Sequence, residues 1–471
     1  TGVINDTDIA FIKQNLTAVK TLDLLDASFI NNSINTQFQK NTWVTLILPK
    51  GTLTINSAAL QESEWLQSIV LPEGLTDINS NAFYKCSSLQ NIVLPSTLRT
   101  IGIRAFNDCA SLKAITIPDR VESIEQYVFY ECSALEEIII GNGVKSISGY
   151  GPFEGCSNLK KVVIGNGLTD LTGSIFQGKT NLTEVILGEN ITTIGSSCFM
   201  GCTGLEKITL PKKLRNINGA AFLGCSNLRT IEMPDSLRIL KDQVFQGCEN
   251  LRSITLPDSL ESIGNQVFRD CKALKSITIP SKVTSLGQYV FYGCSALESF
   301  ILGDGIEEIS TYDPFYECNN LRYVKLNDKL TYISNWFSNK SNLETVVLGN
   351  QVTTIGNSAF ANCKSLQTIN MPETLTTIGN SAFSGCSKLA SIYIPESVNK
   401  IENYAFSNSG LRTFTLPQNI TIIPNYVFNN CDSLRTITLT PQLTAIEEDA
   451  FNSCDSVKDI TINNENETII D

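Results

Sequence analysis

The chain contains no histidine. That absence removes the usual general base near neutral pH and the commonest metal ligand together. Without it no Ser–His or Cys–His pair can form. Also missing are an apolar run of about eighteen residues that could span a bilayer, any cluster of Lys or Arg, and the GxSxG, P-loop and GxGxxG motifs. The net charge of −12 is spread evenly along 471 residues, which argues against nucleic acid or anionic lipid as the main partner. Carboxylate pairs such as Glu136-Glu137 and Glu447-Glu448 are adjacent in sequence, so their side chains point apart into solvent. The acidic turns have neither EF-hand nor RTX spacing for calcium. The sequence therefore predicts no enzyme, no cofactor and no metal site. The first residue is Thr1 rather than Met, which reads as a processed or recombinant chain whose export signal lies outside this sequence.

What is present is one unit written many times, shown cleanly by Leu89–Cys109, LQNIVLPSTLRTIGIRAFNDC. A phenylalanine marks each copy, from Phe83, Phe106 and Phe129 through to Phe451. The sixteen steps between these seventeen residues are 23 residues twelve times, 24 twice and 22 twice. A fixed period of that size is the signature of a solenoid, in which each unit buries its apolar face only against its neighbours. In each unit Leu89, Ile92 and Leu94 alternate as in a short half-buried strand. Pro95 ends the strand without removing a ladder donor; elsewhere Gly-containing turns such as Gly141-Asn142-Gly143 take its place. Leu98 and Ile101 then face inward. Ala105, Phe106 and Cys109 are spaced for one helical or 3₁₀ turn.

Residues 1–40 do not follow the repeat. Asp6 and Thr7 are candidate N-caps for a short helix presenting Ile9, Ile12 and Leu16, and Val19–Leu24 reads as a first strand. The predicted organisation is an N-terminal cap over 1–40, the repeat array over 41–462 and a polar tail over 463–471. In the worn first repeat, Trp43 and Trp65 are expected to fill the volume left by its missing Phe and Cys. No C-terminal cap is evident, so the chain is expected to continue past Asp471.

The pattern LxxIxLPxxLxxIGxxAFxxCxxL, present in seventeen consecutive copies over about nine-tenths of the chain, resembles the Treponema-type leucine-rich repeat of BspA-like surface proteins. The cap segment TDIAFIKQNLTAVKTLDL also resembles the caps that precede such arrays. The resemblance implies an α/β solenoid: a right-handed leucine-rich-repeat superhelix of about eighteen repeats with a concave parallel sheet. It further implies an exported or surface-attached protein that binds other macromolecules, often in adhesion.

Fourteen of the fifteen cysteines stand three residues after a marker Phe; only Lys179, Lys340 and Ser409 interrupt the column, and Cys198 occupies a small-residue slot beside Phe199. Neighbouring cysteines come within disulfide range, but a column in register would pair arbitrarily, and one Cys per turn offers no tetrahedral metal cluster. The column reads as reduced thiols acting as small hydrophobes.

A block of seven repeats is duplicated. Ile101–Glu136 matches Ile263–Glu298 at 23 of 36 positions, and the insertions GYGPF and TYDPF, with Lys179 and Lys340 one repeat later, return at nearly the same shift. An unpaired buried charge is costly, so both lysines are expected to reroute their turns outward with the insertions. Two readings stay open: inherited irregularity and a paired functional surface.

Strand alternation places one row of residues on the open sheet face, mostly β-branched, with Glu232, Lys325 and Tyr393 as departures and Tyr323 in the adjacent row. Tyr323, Lys325 and Tyr393, with Glu232, are the candidate contact residues, since tyrosine offers contact area at small entropic cost. The expected function is a monomeric, non-enzymatic, extracellular or surface-anchored adhesion protein that binds a host or matrix protein along the concave face. The alternatives are a glycan-binding accessory of a surface uptake system and a structural spacer.

Overall fold

A computed structural model describes residues 2–309 and 313–462; the 463–471 tail, Thr311 and Tyr312 lie outside them. The chain is a parallel-strand solenoid of about twenty turns of about 23 residues, divided into two compact units, Thr1–Glu249 and Asn250–Asp471. In the first unit Ala114–Ile117, Glu137–Ile140, Lys161–Ile164 and Glu184–Ile186 pair in parallel, slot for slot. In the second, Ser276–Ile279, Ser299–Leu302, Tyr323–Lys325 and Thr345–Val347 do the same. A second ladder uses strands of two residues, such as Asp170–Leu171, Thr193–Ile194 and Asn216–Ile217. Sequence patterning shows Leu98 and Ile101 as inward residues but gives no sign of this second sheet. Two residues are too few to display an alternation, so only the stacked neighbours make a strand of them.

The corners follow from local chemistry. Pro95 fixes its own φ and opens a turn closed by the Leu98 N–H, which donates to the Pro95 carbonyl at 3.0 Å. At Gly143 an added Cβ would stand 1.7 Å from the Asp119 carbonyl oxygen, so glycine is required there. Around Phe106 the chain makes tight turns with left-handed residues on both sides, Arg104 at φ 57° and Asp108 at φ 60°. The Phe83 N–H donates to the Ala105 carbonyl at 2.8 Å, and the Phe106 N–H to that of Val128 at 3.0 Å. These inter-turn bonds make a third ladder. Among the described residues 3₁₀ geometry is confined to Thr36–Phe38 and Asn335–Phe337.

Inside each unit the Phe rings form a parallel stack; Phe222 lies 5.4 Å from Phe199 and 5.6 Å from Phe245, centroid to centroid. The cysteines are unbridged thiols, all but Cys454 buried. The thiols donate to the marker-slot carbonyl of the preceding turn, as Cys225 does to Phe199 at 3.1 Å, Cys386 to Phe360 at 3.2 Å and Cys86 to Leu60 at 3.2 Å. Burial pushes the Cys86, Cys202, Cys318 and Cys363 thiols up to about 12. Cys198 is a buried small residue, as its slot suggests.

The lysines of the column correct the sequence reading. Lys179 and Lys340 are only 7% and 5% exposed, and their turns are not rerouted: each N–H still donates to its Phe carbonyl, Phe176 or Phe337, at 3.3 Å. A lysine stem is long enough to lie in the cysteine slot and carry its ammonium to a polar edge. The Lys179 Nζ reaches the Gln177 carbonyl at 3.5 Å, and the Lys340 Nζ reaches the Asp313 carboxylate at 3.6 Å.

At the N-terminal end a helix spans Asp6–Asn15. Its cap is Asn5, not Asp6 or Thr7: the Asn5 side chain accepts from the Thr7 and Asp8 N–H groups, and Asp8 returns a bond to the Asn5 N–H. Of the proposed apolar face only Ile9 is buried, and Leu16 lies beyond the last turn. The Lys13 ammonium donates to the Gln37 carbonyl at 3.1 Å, tying the helix to the first turns. Within Val19–Leu24, Thr21–Asp23 forms a strand and pairs in parallel with Thr45–Ile47. Trp43 is buried against Phe38, whereas Trp65 is 61% exposed and fills no core volume; Leu60 and Ser63 occupy the Phe and Cys slots instead. At the other end of the described residues, Asp459–Ile462 pairs with Thr436–Leu439.

Candidate binding surfaces

The long-strand sheets place the expected row outward. Val70 and Val93 are exposed, as are Glu232, Lys325 and Tyr393. In the first unit Glu137, Lys161 and Glu184 stand side by side on consecutive strands, and the Lys161 ammonium lies 3.1 Å from Glu137 and 3.9 Å from Glu184. Glu232, on Thr230–Glu232, neighbours Thr209 in register. In the second unit Tyr323 and Lys325 share a face two residues apart on one strand. Tyr323 is half-buried between Ser299 and Thr345, and Lys325 lies between Ile301 and Val347. Lys325 borders a groove of about 390 Å³ with Thr278, Asp304 and Asp328.

Tyr393 lies in a different groove, of about 660 Å³, beside Thr368, Ser391 and Thr415. This groove has a local cause. The Asn370 side chain inserts into the ladder: its Oδ1 accepts from the Leu348 N–H at 2.7 Å and its Nδ2 donates to the Leu348 carbonyl at 3.0 Å. In ordinary turns a strand carbonyl fills that place, as when Val347 accepts from the Leu326 N–H at 2.9 Å. With a side chain interposed, Ser391–Ile394 joins no strand, and the ladder resumes at Thr413–Thr415. The Tyr393 hydroxyl donates to Glu373 at 3.3 Å; partial burial, then the Glu373 charge, push its phenol above the ordinary value. The structure thus joins Tyr323 to Lys325 and gives Tyr393 a groove of its own.

The turn edge, around the marker Phe, carries aromatic groups that strand reasoning passes over. In the first unit Tyr127 and Tyr130 meet edge to face at 5.6 Å, and the Arg104 guanidinium lies 5.3 Å from the Tyr127 ring centre. In the second, Tyr289 and Tyr292 meet edge to face at 6.2 Å, Arg269 lies 4.6 Å from the Tyr292 ring centre, and Tyr316 stacks on Tyr292 at 5.0 Å. The repeated QYVFY was the available signal, but the tyrosines flank the marker Phe and were masked by its regularity. Beside Tyr316 is a cavity of about 420 Å³ bordered by Glu317, Asn319, Asn335, Asn339 and the Lys340–Asp313 pair.

Parallel turns of about 23 residues, an alternating strand in each, and stacked Leu, Ile, Phe and Cys columns define a leucine-rich-repeat solenoid. The sequence profile described as the BspA type leucine rich repeat region (6 copies) matches residues 32–151, 134–252, 239–367 and 353–471. The chain belongs to the BspA-type leucine-rich-repeat family. This is a repeat-scaffold family not known for enzymatic activity, and its members are usually surface or secreted proteins. Among solved structures, a leucine-rich repeat protein from Bacteroides ovatus ATCC 8483 is 26% identical over 75% of this chain and 92% of that one, with a TM-score of 0.59. A leucine rich cell surface protein from Faecalibacterium prausnitzii A2-165 is 24% identical over 75% of this chain and 88% of that one, with a TM-score of 0.36. The T. pallidum leucine rich repeat protein is 26% identical over 34% of this chain and 77% of that one, with a TM-score of 0.32. No curated protein matches the sequence. Among the described residues no helix is long and apolar enough to cross a membrane.

Proposed function

We propose that this chain is a non-enzymatic recognition protein of the cell surface or extracellular space, which engages a host or matrix protein along its long-strand sheet face. The observation that carries this reading is the division of labour within each turn. Inward positions hold the same few apolar residues throughout, while outward positions on the same strands range from Val93 to Glu232, Lys325 and Tyr393. Flat arrays of separately variable side chains suit recognition by many modest contacts, with Tyr323, Lys325 and Tyr393 as anchors. The family's usual surface or secreted setting supports the location.

The test is a binding screen of the purified chain against immobilised matrix proteins at physiological salt. A saturable hit should weaken by about tenfold or more when Tyr323, Lys325 and Tyr393 are all changed to Ala, as loss of anchor residues predicts. A hit indifferent to the triple change would move the contact elsewhere, and silence across the panel would favour a spacer.

A further inference from the structure

We propose that the cavity beside Tyr316 is a binding site for a neutral glycan, independent of the sheet-face reading. Three observations converge on it. The first is chemical. An exposed aromatic wall, Tyr316, is held at one side by its stack on Tyr292, which Arg269 covers in turn. The cavity is also bordered by the amides Asn319, Asn335 and Asn339 and the Glu317 carboxylate. A pyranose ring presents an apolar face of C–H groups and a rim of hydroxyls, and such a site offers one surface for each. At about 420 Å³ the cavity lies within the range that holds small ligands (about 300–1,000 Å³).

The second is electrostatic. The Lys340 ammonium is spoken for by Asp313 at 3.6 Å, and Arg269 by Asp270 at 3.4 Å. Among the described residues Glu317 has no ion-pair partner, so the site is mildly negative. Sulfated, phosphorylated and sialylated sugars are disfavoured there, whereas hydroxyl donors are favoured.

The third is the internal duplication, which acts as a control. The preceding stretch keeps 23 of 36 residues between copies and the following one, 180–215 against 341–376, keeps 16 of 36, whereas residues 151–179 and 313–340 agree at ten of their 28 paired positions, Gly173 having no partner. In the first copy Gly151, Glu154, Gly155, Ser174 and Gly178 stand where the second has Asp313, Tyr316, Glu317, Asn335 and Asn339. Of the cavity's charged groups, only the lysine is common to both. The inward residues Phe315, Cys318, Leu321, Val324 and Leu330 are kept, while Leu326, Ile333 and Trp336 replace Ile164, Leu171 and Ile175. The aromatic and amide lining of the cavity is therefore particular to the second copy.

The experiment is titration calorimetry of the full chain with neutral gluco-, galacto- and manno-configured oligosaccharides, beside sialylated and sulfated counterparts and a Lys-rich peptide. The expected result is saturable binding of a neutral sugar, weakened about tenfold or more by Tyr316→Ala and by Asn339→Ala and retained by Tyr316→Phe. Glu154→Ala in the first copy and the Tyr323, Lys325, Tyr393 triple change should leave it intact, which separates this site from the sheet face. Thermal melts establish that the variants fold. Binding only of anionic sugars or of the basic peptide, neutral-sugar binding indifferent to Tyr316→Ala and Asn339→Ala, or no heat with any neutral sugar would each overturn the proposal.

Discussion

A cysteine in this array behaves as a hydrogen-bonding hydrophobe. Its thiol is small enough for the column, and its S–H ties one turn to the Phe carbonyl of the turn before, as at Cys225 and Phe199. Burial has a consequence for pH. The folded-state values of Cys86, Cys202, Cys318 and Cys363 rise from 9.0 to about 12. Between those values the unfolded thiol has lost its proton and the folded one has kept it. The stabilising contribution is therefore complete below pH 9 and is lost as pH climbs toward 12, by about 1.4 kcal/mol per pH unit for each thiol. Urea midpoints measured from pH 8 to 11 should fall steeply above pH 9, and changing these four residues to Ala should make the decline shallower. An unchanged slope in that variant would contradict the account. Lys340 shows the opposite use of the same slot, where a long side chain carries charge to an edge that the thiols never reach.

At the scale of one turn, stability comes from registry. Two strand ladders and the turn ladder tie most repeats to their neighbours, and the Phe ring stacks on those of the adjacent turns. Phe222, with rings stacked on both sides, should lose about 3–5 kcal/mol on change to Ala. Phe451, part-exposed in the last complete turn, should lose clearly less. Chemical denaturation of the two variants side by side checks the difference; equal losses would mean that the stack is not what Phe222 contributes to. Asn370 shows how a single outward residue can alter an element. Its amide replaces a backbone partner of Leu348, and the strand that should follow is absent at Ser391–Ile394.

Across the chain, burial is uneven in a way that predicts dynamics. Ile437 is 1% exposed, while Ile460, in the same slot one turn later, is 63% exposed. Ile423 and Ile446 stand in the same relation, at 1% and 52%. Exposure of these inward slots lowers the cost of opening residues 443–462 relative to turns in which the same slots are buried. Hydrogen exchange should be fastest over residues 443–462 and slow through interior strands such as Ser276–Ile279 and Ser299–Leu302. Protection at Asp459–Ile462 equal to that of the interior would show that the end is covered.

The repeat period, the inward columns, the long strands and the outward row were all legible in the amino-acid sequence, because each is a linear periodicity of residue type. So was family membership, since one motif recurs seventeen times. Tertiary structure alone decided the features that depend on neighbours 22 to 24 residues away. Two-residue strands exist only through their stacking partners. Lys179 and Lys340 remain in the column because a flexible stem can thread an intact turn, a matter of side-chain geometry that a cost for burying charge does not capture. Tyr323 and Lys325 were readable as a pair because they share a strand, whereas the separate groove of Tyr393 depends on a side chain from the preceding turn, Asn370. The Arg269, Tyr292 and Tyr316 stack and the cavity beside it draw on four successive turns, and no local pattern in any one of them announces the others.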